Sequence, residues 1–228
     1  AQYGDDRRTE IVPEEVEGLN IEDLIQREDM VVMISSRGFI KRIPVSSYRI
    51  QGRGGKGASS TVLKDEDYIT HVFVASTHDY ILFITSEGKA YYLRAHEVPE
   101  GSKNSRGQHI KALLSISPNE EIAAVVEISQ FSKSTYILLA TSKGVIKKVT
   151  TSDFENARTR GILAIKLDPG DKVVKAVLCD GSKELVLITR KGRALRFHEE
   201  NIRSMGRASR GVQGIRLSPG DELAGAVL

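Results

Sequence analysis

The sequence predicts an all-β, propeller-like fold built from four copies of one four-stranded unit. From Met30 onward, short apolar runs are broken by turns roughly every 8 to 12 residues, a spacing typical of β-sandwiches, barrels and propellers. The chain also repeats itself four times, in its hairpins and in a second, basic motif. A unit of about 50 residues cannot bury both faces of its sheet alone, so such units stack on one another.

The segment before the repeats, residues 1–29, is expected to be an acidic connector from a domain upstream. Residues 1–30 hold ten acidic and three basic residues, whereas residues 31–228 hold 20 acidic and 30 basic ones. Pro13 and Gly18 interrupt the segment, and IEDLIQRED has room for one or two helical turns. An acidic leader before a basic body suggests that the body meets a polyanion.

Each repeat opens with a predicted β-hairpin whose tight turn contains glycine. The segments SRGFIKR (36–42), SEGKAYY (86–92), SKGVIKK (142–148) and RKGRALR (190–196) align without gaps, and each follows an apolar run. Their glycines, Gly38, Gly88, Gly144 and Gly192, are 50, 56 and 48 residues apart. This period predicts one domain over 30–228, with blades at about 30–76, 77–129, 130–179 and 180–228.

A second motif fixes the register of the repeat. Each hairpin glycine is followed by a pair made of a basic residue and another glycine, and the glycine of this pair lies 17 or 19 residues after the hairpin glycine. The four pairs are Lys56-Gly57, Arg106-Gly107, Arg160-Gly161 and Arg210-Gly211. An acidic turn then leads to an apolar strand that closes the repeat. Because every unit uses the same turns, we expect these cations to line one rim of the assembly.

A rim of like charge is best tolerated when a polyanion neutralises it, so we expect it to bind double-stranded DNA. Similar loops at regular spacing would contact phosphates rather than base edges, giving sequence-tolerant binding to a bent duplex. Outside the glycine-rich stretch described next, the predicted DNA-binding residues are Lys41, Arg42, Lys103, Arg106, Lys147, Lys148, Arg158, Arg160, Arg193, Arg196, Arg207 and Arg210. The alternative is that these cations only protect strand edges from aggregation.

The stretch RIQGRGGKGASS, residues 49–60, is the expected point at which the duplex is fastened. Its glycines allow the backbone to approach a ligand closely, and its cations suit phosphate oxygens. A nucleotide-binding P-loop is excluded, because Ile50 replaces the first glycine and Gly57 follows Lys56 where a hydroxyl is needed. The predicted contacts here are Arg49, Gln51, Gly52, Arg53, Gly54, Gly55, Lys56 and Gly57.

Other classes of function find no support in the sequence. No run of 18 apolar residues predicts a membrane span, and no signal peptide is evident. Cys179, the single cysteine, lies in an apolar run and is expected to be buried and inert, which fits a reducing cytoplasm. The five histidines are scattered, so we expect neither a metal site nor a catalytic residue.

Together these features resemble the C-terminal domain of the DNA gyrase A protein, which is part of a type IIA topoisomerase. QGRGGKG (51–57) is similar to that family's signature box, QRRGGKG, in six of seven positions and departs from it at Gly52. The stretches 3–11, 20–32, 77–91 and 205–217 also resemble the family. The loss of an arginine at position 52 puts the strength of DNA wrapping in question.

The resemblance implies a β-pinwheel, a propeller-like disc with exchanged strands, usually of six blades; with four repeats, this chain would be a fragment. It implies that the rim wraps duplex DNA so that the ATP-dependent enzyme introduces negative supercoils. It places the catalytic tyrosine in an upstream domain, and ATP and magnesium elsewhere in an A2B2 complex with the gyrase B protein. We expect the isolated fragment to be monomeric. The alternatives are the equivalent domain of topoisomerase IV and a protein-binding propeller adaptor.

Overall fold

A computed structural model describes residues 21–48 and 67–228 of the chain. Two regions of the sequence prediction, most of the acidic connector (1–20) and the glycine-rich stretch 49–60, lie outside the described residues. The end of the connector is a short 3-10 helix, Ile21–Leu24. It is followed by the first strand, which begins at Asp29.

The described residues form 15 β-strands and six short 3-10 helices. The strands are β1 (Asp29–Ser35), β2 (Phe39–Pro44), β3 (Ile69–Ser76), β4 (Tyr80–Thr85), β5 (Lys89–Arg94), β6 (Gln108–His109), β7 (Ile122–Ile128), β8 (Tyr136–Thr141), β9 (Val145–Thr150), β10 (Ile162–Leu163), β11 (Val173–Cys179), β12 (Glu184–Thr189), β13 (Ala194–His198), β14 (Val212–Gln213) and β15 (Leu223–Val227). The remaining 3-10 helices are Val45–Ser47, Ala95–Glu97, Ile110–Ala112, Thr151–Phe154 and Glu199–Asn201.

The strands form four antiparallel sheets, which confirms the all-β, propeller-like prediction. Three sheets have four strands, in the orders β3-β1-β2-β6, β7-β4-β5-β10 and β11-β8-β9-β14. In each, three strands come from one repeat and the short outer strand comes from the following repeat. The fourth sheet, β15-β12-β13, has three strands among the described residues. Sheet membership therefore does not follow the repeat boundaries.

The predicted hairpins are confirmed. Strands β1–β2, β4–β5, β8–β9 and β12–β13 pair across tight turns. The glycine of each turn, at 38, 88, 144 and 192, has φ between 77° and 79°. A left-handed backbone of this kind is costly for residues with a Cβ, which explains why glycine recurs at this position.

The core of the described residues consists of three hydrophobic clusters, each between two successive sheets. Val32 and Ile34 of the first sheet pack with Ile81 and Phe83 of the second. The other two clusters join the second sheet to the third and the third to the fourth. Each sheet thus buries its apolar face against its neighbour, as expected of a repeat that cannot fold alone.

A buried acid anchors the hairpin turn of every repeat. These acids are Asp67, Glu120, Asp171 and Asp221, each at most 9% exposed and each two residues before the strand that closes its repeat. Asp171 accepts hydrogen bonds from the hydroxyl of Ser142 (2.8 Å) and the backbone N–H of Lys143 (2.9 Å). The acid therefore ties the hairpin to the closing strand of the same sheet.

Candidate nucleic-acid interface

In the part of the chain that the structure describes, three loops cross from one repeat onto the outer edge of the preceding sheet. We call them the crossing loops: residues 99–107, 156–161 and 203–211. Backbone hydrogen bonds hold each one in place. In the first loop, the carbonyl of Pro99 accepts from the backbone N–H of Arg42 (3.0 Å), and in the second the carbonyl of Arg158 accepts from the N–H of Tyr92 (3.1 Å). In the third loop, the N–H of Met205 donates to the carbonyl of Lys148 (2.8 Å). Each loop ends in a basic-Gly pair and leads into the exchanged strand, so Arg106, Arg160 and Arg210 lie at the outer edges of successive sheets.

In the three crossing loops, the glycine of the basic-Gly pair is required by the close approach of the loop to the sheet. Gly107, Gly161 and Gly211 have φ of 86°, 74° and 100°. A Cβ at Gly107 would lie 2.4 Å from the carbonyl oxygen of Ile40, and one at Gly161 would lie 2.3 Å from the ring of Tyr91. The repeated basic-Gly motif therefore marks where a loop is pressed onto the neighbouring sheet.

Arg158 and Arg160 are the two predicted contacts in the second crossing loop. Both are exposed, and among the described residues neither side chain has an ion-pair partner. Arg158 has φ of 36°, a left-handed conformation that is rare for a residue with a side chain. Its carbonyl accepts the hydrogen bond from Tyr92, so the strand fixes this conformation. The two guanidinium groups are free to meet an anion.

The first crossing loop holds its two predicted contacts against aromatic rings. The guanidinium of Arg106 lies 3.6 Å from the ring centre of Phe39, and Nζ of Lys103 lies 4.8 Å from that of Tyr48. Both residues are half-buried. Cation–π contacts of this kind restrain the side chains without neutralising their charge.

The third crossing loop carries Arg207 and Arg210. Arg207 donates to the carbonyl of Leu163 (3.3 Å), and Arg210 Nε donates to the carboxylate of Asp168 (2.8 Å). Asp168 belongs to the acidic turn of the third repeat, so this cation is already paired in the free protein. Any anion that binds Arg210 must compete with that carboxylate.

Two further predicted contacts lie in the fourth sheet. Arg193, at the hairpin turn, donates to the hydroxyl of Ser218 (3.0 Å), and Arg196, on β13, pairs with Glu184 (3.2 Å). Both are exposed. Both belong to the β12–β13 hairpin, and among the described residues no crossing loop covers this hairpin.

The prediction that Lys41, Lys147 and Lys148 contact DNA does not fit their buried positions in this structure. Their side chains are 2%, 0% and 6% exposed, and each Nζ donates to backbone carbonyls. For Lys41 and Lys147 the physical reason is that the crossing loop of the next repeat lies over β2 and β9 and covers them. Lys148 Nζ instead donates to the carbonyl of Glu199 (2.9 Å), which precedes that loop. The alternating pattern of a strand could not show this, because the covering residues are about 60 positions away.

Arg42 is also largely withdrawn from the surface. Its side chain is 15% exposed, Nε donates to the carbonyl of Val98 (2.7 Å) and the guanidinium pairs with Glu100 (3.3 Å). It therefore fastens the first crossing loop rather than presenting a free charge. The contacts predicted at Arg49 and at Gln51 to Gly57 lie outside the described residues and stay predictions.

Sequence reasoning placed the four buried acids in the acidic turns before the closing strands but missed their anchoring role. In the second repeat, Glu120 accepts a 2.5 Å hydrogen bond from the hydroxyl of Thr85 and pairs with Lys89 (3.3 Å). Burial acts to raise the pKa of Glu120, but the bonds from Thr85 and Lys89 outweigh it and lower that pKa. The constant spacing of these acids before each closing strand was the available signal.

The described residues were also compared with three other kinds of site: a metal site, a reactive thiol and a membrane-spanning helix. Among the described residues, no three histidine, cysteine or carboxylate side chains are grouped so as to hold a metal ion. Cys179 is 2% exposed, and burial raises the pKa of its thiol. No helix in the described ranges is long and apolar enough to cross a membrane.

The fold and the crossing loops define the class: a β-propeller-like repeat domain whose sheets exchange strands and whose outer edge carries cations. The family model described as "DNA gyrase C-terminal domain, beta-propeller" matches residues 29–76, 79–129, 135–180 and 183–228. The chain belongs to the family of DNA gyrase C-terminal domains.

Individual relatives agree with this assignment. The chain is 53% identical to the DNA gyrase A protein of Treponema pallidum (strain Nichols) over 207 residues, which cover 91% of this chain and 26% of that protein. Among solved structures it is similar to a DNA gyrase A C-terminal domain (TM-score 0.69, 33% identity, 87% of this chain and 64% of that one). It is also similar to a C-terminal domain of DNA topoisomerase IV (TM-score 0.75, 30% identity, 89% and 61%). The chain thus spans about a quarter of the length of the gyrase protein that it matches.

Proposed function

We propose that this chain is a non-catalytic domain that binds duplex DNA along its outer edge and bends the duplex around it. The observation that supports this most directly is the repetition of the crossing loops. Three equivalent loops place their basic-Gly pairs at the edges of three successive sheets, with Arg158 and Arg160 exposed. Loops that differ in sequence but share this geometry suit a regular row of phosphates better than they suit base edges.

Within the parent protein, the proposed role is to wrap DNA so that DNA gyrase, using ATP, introduces negative supercoils. The catalytic tyrosine, the ATP and the magnesium would belong to other domains and to the gyrase B protein of an A2B2 complex in the cytoplasm. The family membership supports this proposal, and so does the gyrase name of the relatives. The topoisomerase IV domain remains the nearest alternative, since its fold is as similar as that of gyrase.

A topology assay tests wrapping directly. Nicked circular DNA is ligated with the 228-residue chain bound, and the linking number is read after the protein is removed. We expect a shift in linking number that grows with protein concentration. An unchanged linking number would contradict wrapping, even if the chain retains DNA in a mobility-shift assay.

A charge-matched pair of variants tests where the DNA lies. Arg158→Ala with Arg160→Ala removes two exposed cations from a crossing loop, and Lys172→Ala with Lys175→Ala removes two exposed cations elsewhere. The first variant should weaken binding and lower the slope of log K against log salt by about 2, because each phosphate contact contributes about 0.9. Equal losses of DNA affinity in both variants would mean that the cations of the crossing loop contribute no more to binding than other exposed cations.

Competition distinguishes this function from a protein-binding adaptor. Unrelated duplexes of equal length should compete equally well, and raising the salt from about 50 to about 200 mM should weaken binding by orders of magnitude. Binding that is absent, or insensitive to salt, would favour the adaptor.

A further inference from the structure

We propose that Lys41 and Lys147 are positioning residues for the DNA interface, each holding the following repeat's crossing loop through its backbone carbonyls. The inference rests on the proposed function, since it concerns the loops that carry the DNA-contacting cations. It assigns a role to two lysines whose side chains are buried and therefore do not reach the surface where DNA would bind.

The two lysines make the same kind of contacts in two different sheets. Nζ of Lys41 donates to the carbonyls of Ser105 (2.7 Å), Lys103 (3.1 Å) and Ser102 (3.2 Å). Nζ of Lys147 donates to the carbonyls of Ala164 (2.8 Å), Ser209 (3.0 Å) and Arg207. Among the described residues, each ammonium group therefore donates to three backbone carbonyls.

Two of the three carbonyls occupy equivalent places in the two loops. Ser105 and Ser209 each stand directly before an Arg-Gly pair, and Lys103 and Arg207 each stand two residues earlier. Four of the predicted contacts are thus fixed in this way: Lys103 and Arg207 are bonded through their own carbonyls, and Arg106 and Arg210 each follow a serine that is. The lysine fixes the backbone from which these side chains extend.

The other two sheets serve as internal comparisons. In the second sheet the position is Tyr91, which is also buried and packs against Gly161 of a Thr-Arg-Gly loop. In the fourth sheet it is Leu195, which is 40% exposed because no crossing loop covers it among the described residues. Lysine occurs where the covering loop reads Ser-Arg-Gly, and so the ammonium group is matched to that loop.

The energetics explain why loop and lysine depend on each other. A buried ammonium group is costly unless hydrogen bonds satisfy it, and the crossing loop supplies acceptors that the sheet does not. If the loop lifts, the charge loses these acceptors; if the charge is removed, the carbonyls lose their donors. Each lysine therefore couples the position of its loop to the edge of the sheet beneath it.

Hydrogen exchange measured by mass spectrometry, without DNA, tests the positioning role in Lys41→Met and Lys147→Met. Lys147→Met should speed exchange at least about tenfold in residues 203–213 and leave 99–109 unchanged, and Lys41→Met should do the reverse. Unchanged exchange in the matching loop would overturn the inference, whatever the variant does to DNA binding. Lys172→Met, at an exposed lysine, is the control for loss of charge.

A thermodynamic cycle then links the lysine to DNA. If Lys147 acts through its loop, adding Lys147→Met to Arg207→Ala with Arg210→Ala should weaken binding little further, since the cations it positions are already gone. Fully additive losses would overturn the link between loop position and binding. If the loop loosens while neither the lysine nor the arginine variants alter binding, the proposed function fails and the loop-holding role alone remains.

Nitrogen NMR of the unaltered chain covers the case in which a Met variant does not fold. The Nζ groups of Lys41 and Lys147 should give slowly exchanging ammonium signals with couplings to carbonyl carbons near neutral pH, unlike the exposed lysines. Signals that exchange as fast as those of exposed lysines would contradict the three-carbonyl arrangement.

Discussion

Arg210 Nε donates a hydrogen bond of 2.8 Å to Asp168 Oδ2, and the two side chains are 58% and 37% exposed. A cation proposed to bind phosphate is therefore paired with a carboxylate in the free protein. Because the pair is solvent-exposed, it contributes little to stability, and DNA can displace the carboxylate at small cost.

Asp168→Asn should consequently strengthen DNA binding. With the carboxylate neutralised, Arg210 no longer has to leave an ion pair, and affinity should rise about twofold to fivefold at low salt. The salt slope should become steeper by up to about 1. Glu222→Gln, which removes the partner of Arg190 (3.2 Å) and changes the net charge equally, is the control for long-range charge. An equal gain in both variants would mean that Arg210 is not a specific contact.

Glu120→Gln should destabilise the fold at neutral pH. The carboxylate is 1% exposed and is bonded to Thr85 and Lys89, so the amide weakens a charged hydrogen bond and leaves Lys89 without its counter-charge. Losses of about 2 kcal/mol in unfolding free energy are expected. The pKa of Glu120 is lowered in the folded state, so its contribution is present above the unfolded pKa and is lost as the pH falls through the folded pKa. Urea unfolding at about pH 7.5 and about pH 3 measures this difference, with exposed Glu121→Gln as the control.

Glu127→Gln should have the opposite effect. Burial, together with the carboxylates of Asp79 and Asp29, raises the pKa of Glu127 to about 6. The folded state thus holds its proton more tightly than the unfolded state, and stability falls as the pH rises from the unfolded pKa through about 6. At about pH 7.5 the amide should therefore stabilise the chain by roughly 1 kcal/mol, allowing for solvent screening at this half-buried site. The gain should disappear below about pH 4; a gain that persists there would point to packing instead of charge.

Gly107→Ala should cost more stability than Gly192→Ala. Both glycines have positive φ, 86° and 79°, so both substitutions carry the strain of a left-handed residue, about 1 kcal/mol. Only at Gly107 does the new Cβ meet backbone, at 2.4 Å from the carbonyl of Ile40, whereas nothing lies within 4 Å of one at Gly192. The excess loss in thermal unfolding reports the close contact of the crossing loop. Equal losses would mean that the loop relaxes freely.

The contrast between Lys103 and Lys41 shows what the sequence could and could not predict. The repeat, its hairpins and its basic-Gly pairs depend on local turn chemistry and period, and these were predicted correctly. Both lysines were predicted at the rim, yet Lys41 is 2% exposed while Lys103 is only half-buried. The burial of Lys41 depends on a loop of the next repeat, and the exchange of strands that brings this loop across has no local signature. The anchoring role of the four buried acids was missed for a different reason, since each acid bonds to the hairpin of its own repeat, about 30 residues earlier in the chain.

The glycine-rich stretch provides the last prediction, which depends on the sequence alone because residues 49–60 lie outside the described range. Arg53→Ala with Lys56→Ala should reduce the linking-number shift more than Arg207→Ala with Arg210→Ala, although both remove two cations. Extra glycines let a backbone approach a phosphate more closely than an ordinary basic-Gly loop allows. In the reverse direction, Gly52→Arg restores the charge found in the family's box and should increase the shift. Equal losses from the two double variants would show that the first repeat's loop is one of four equivalent contacts and does not fasten the wrap.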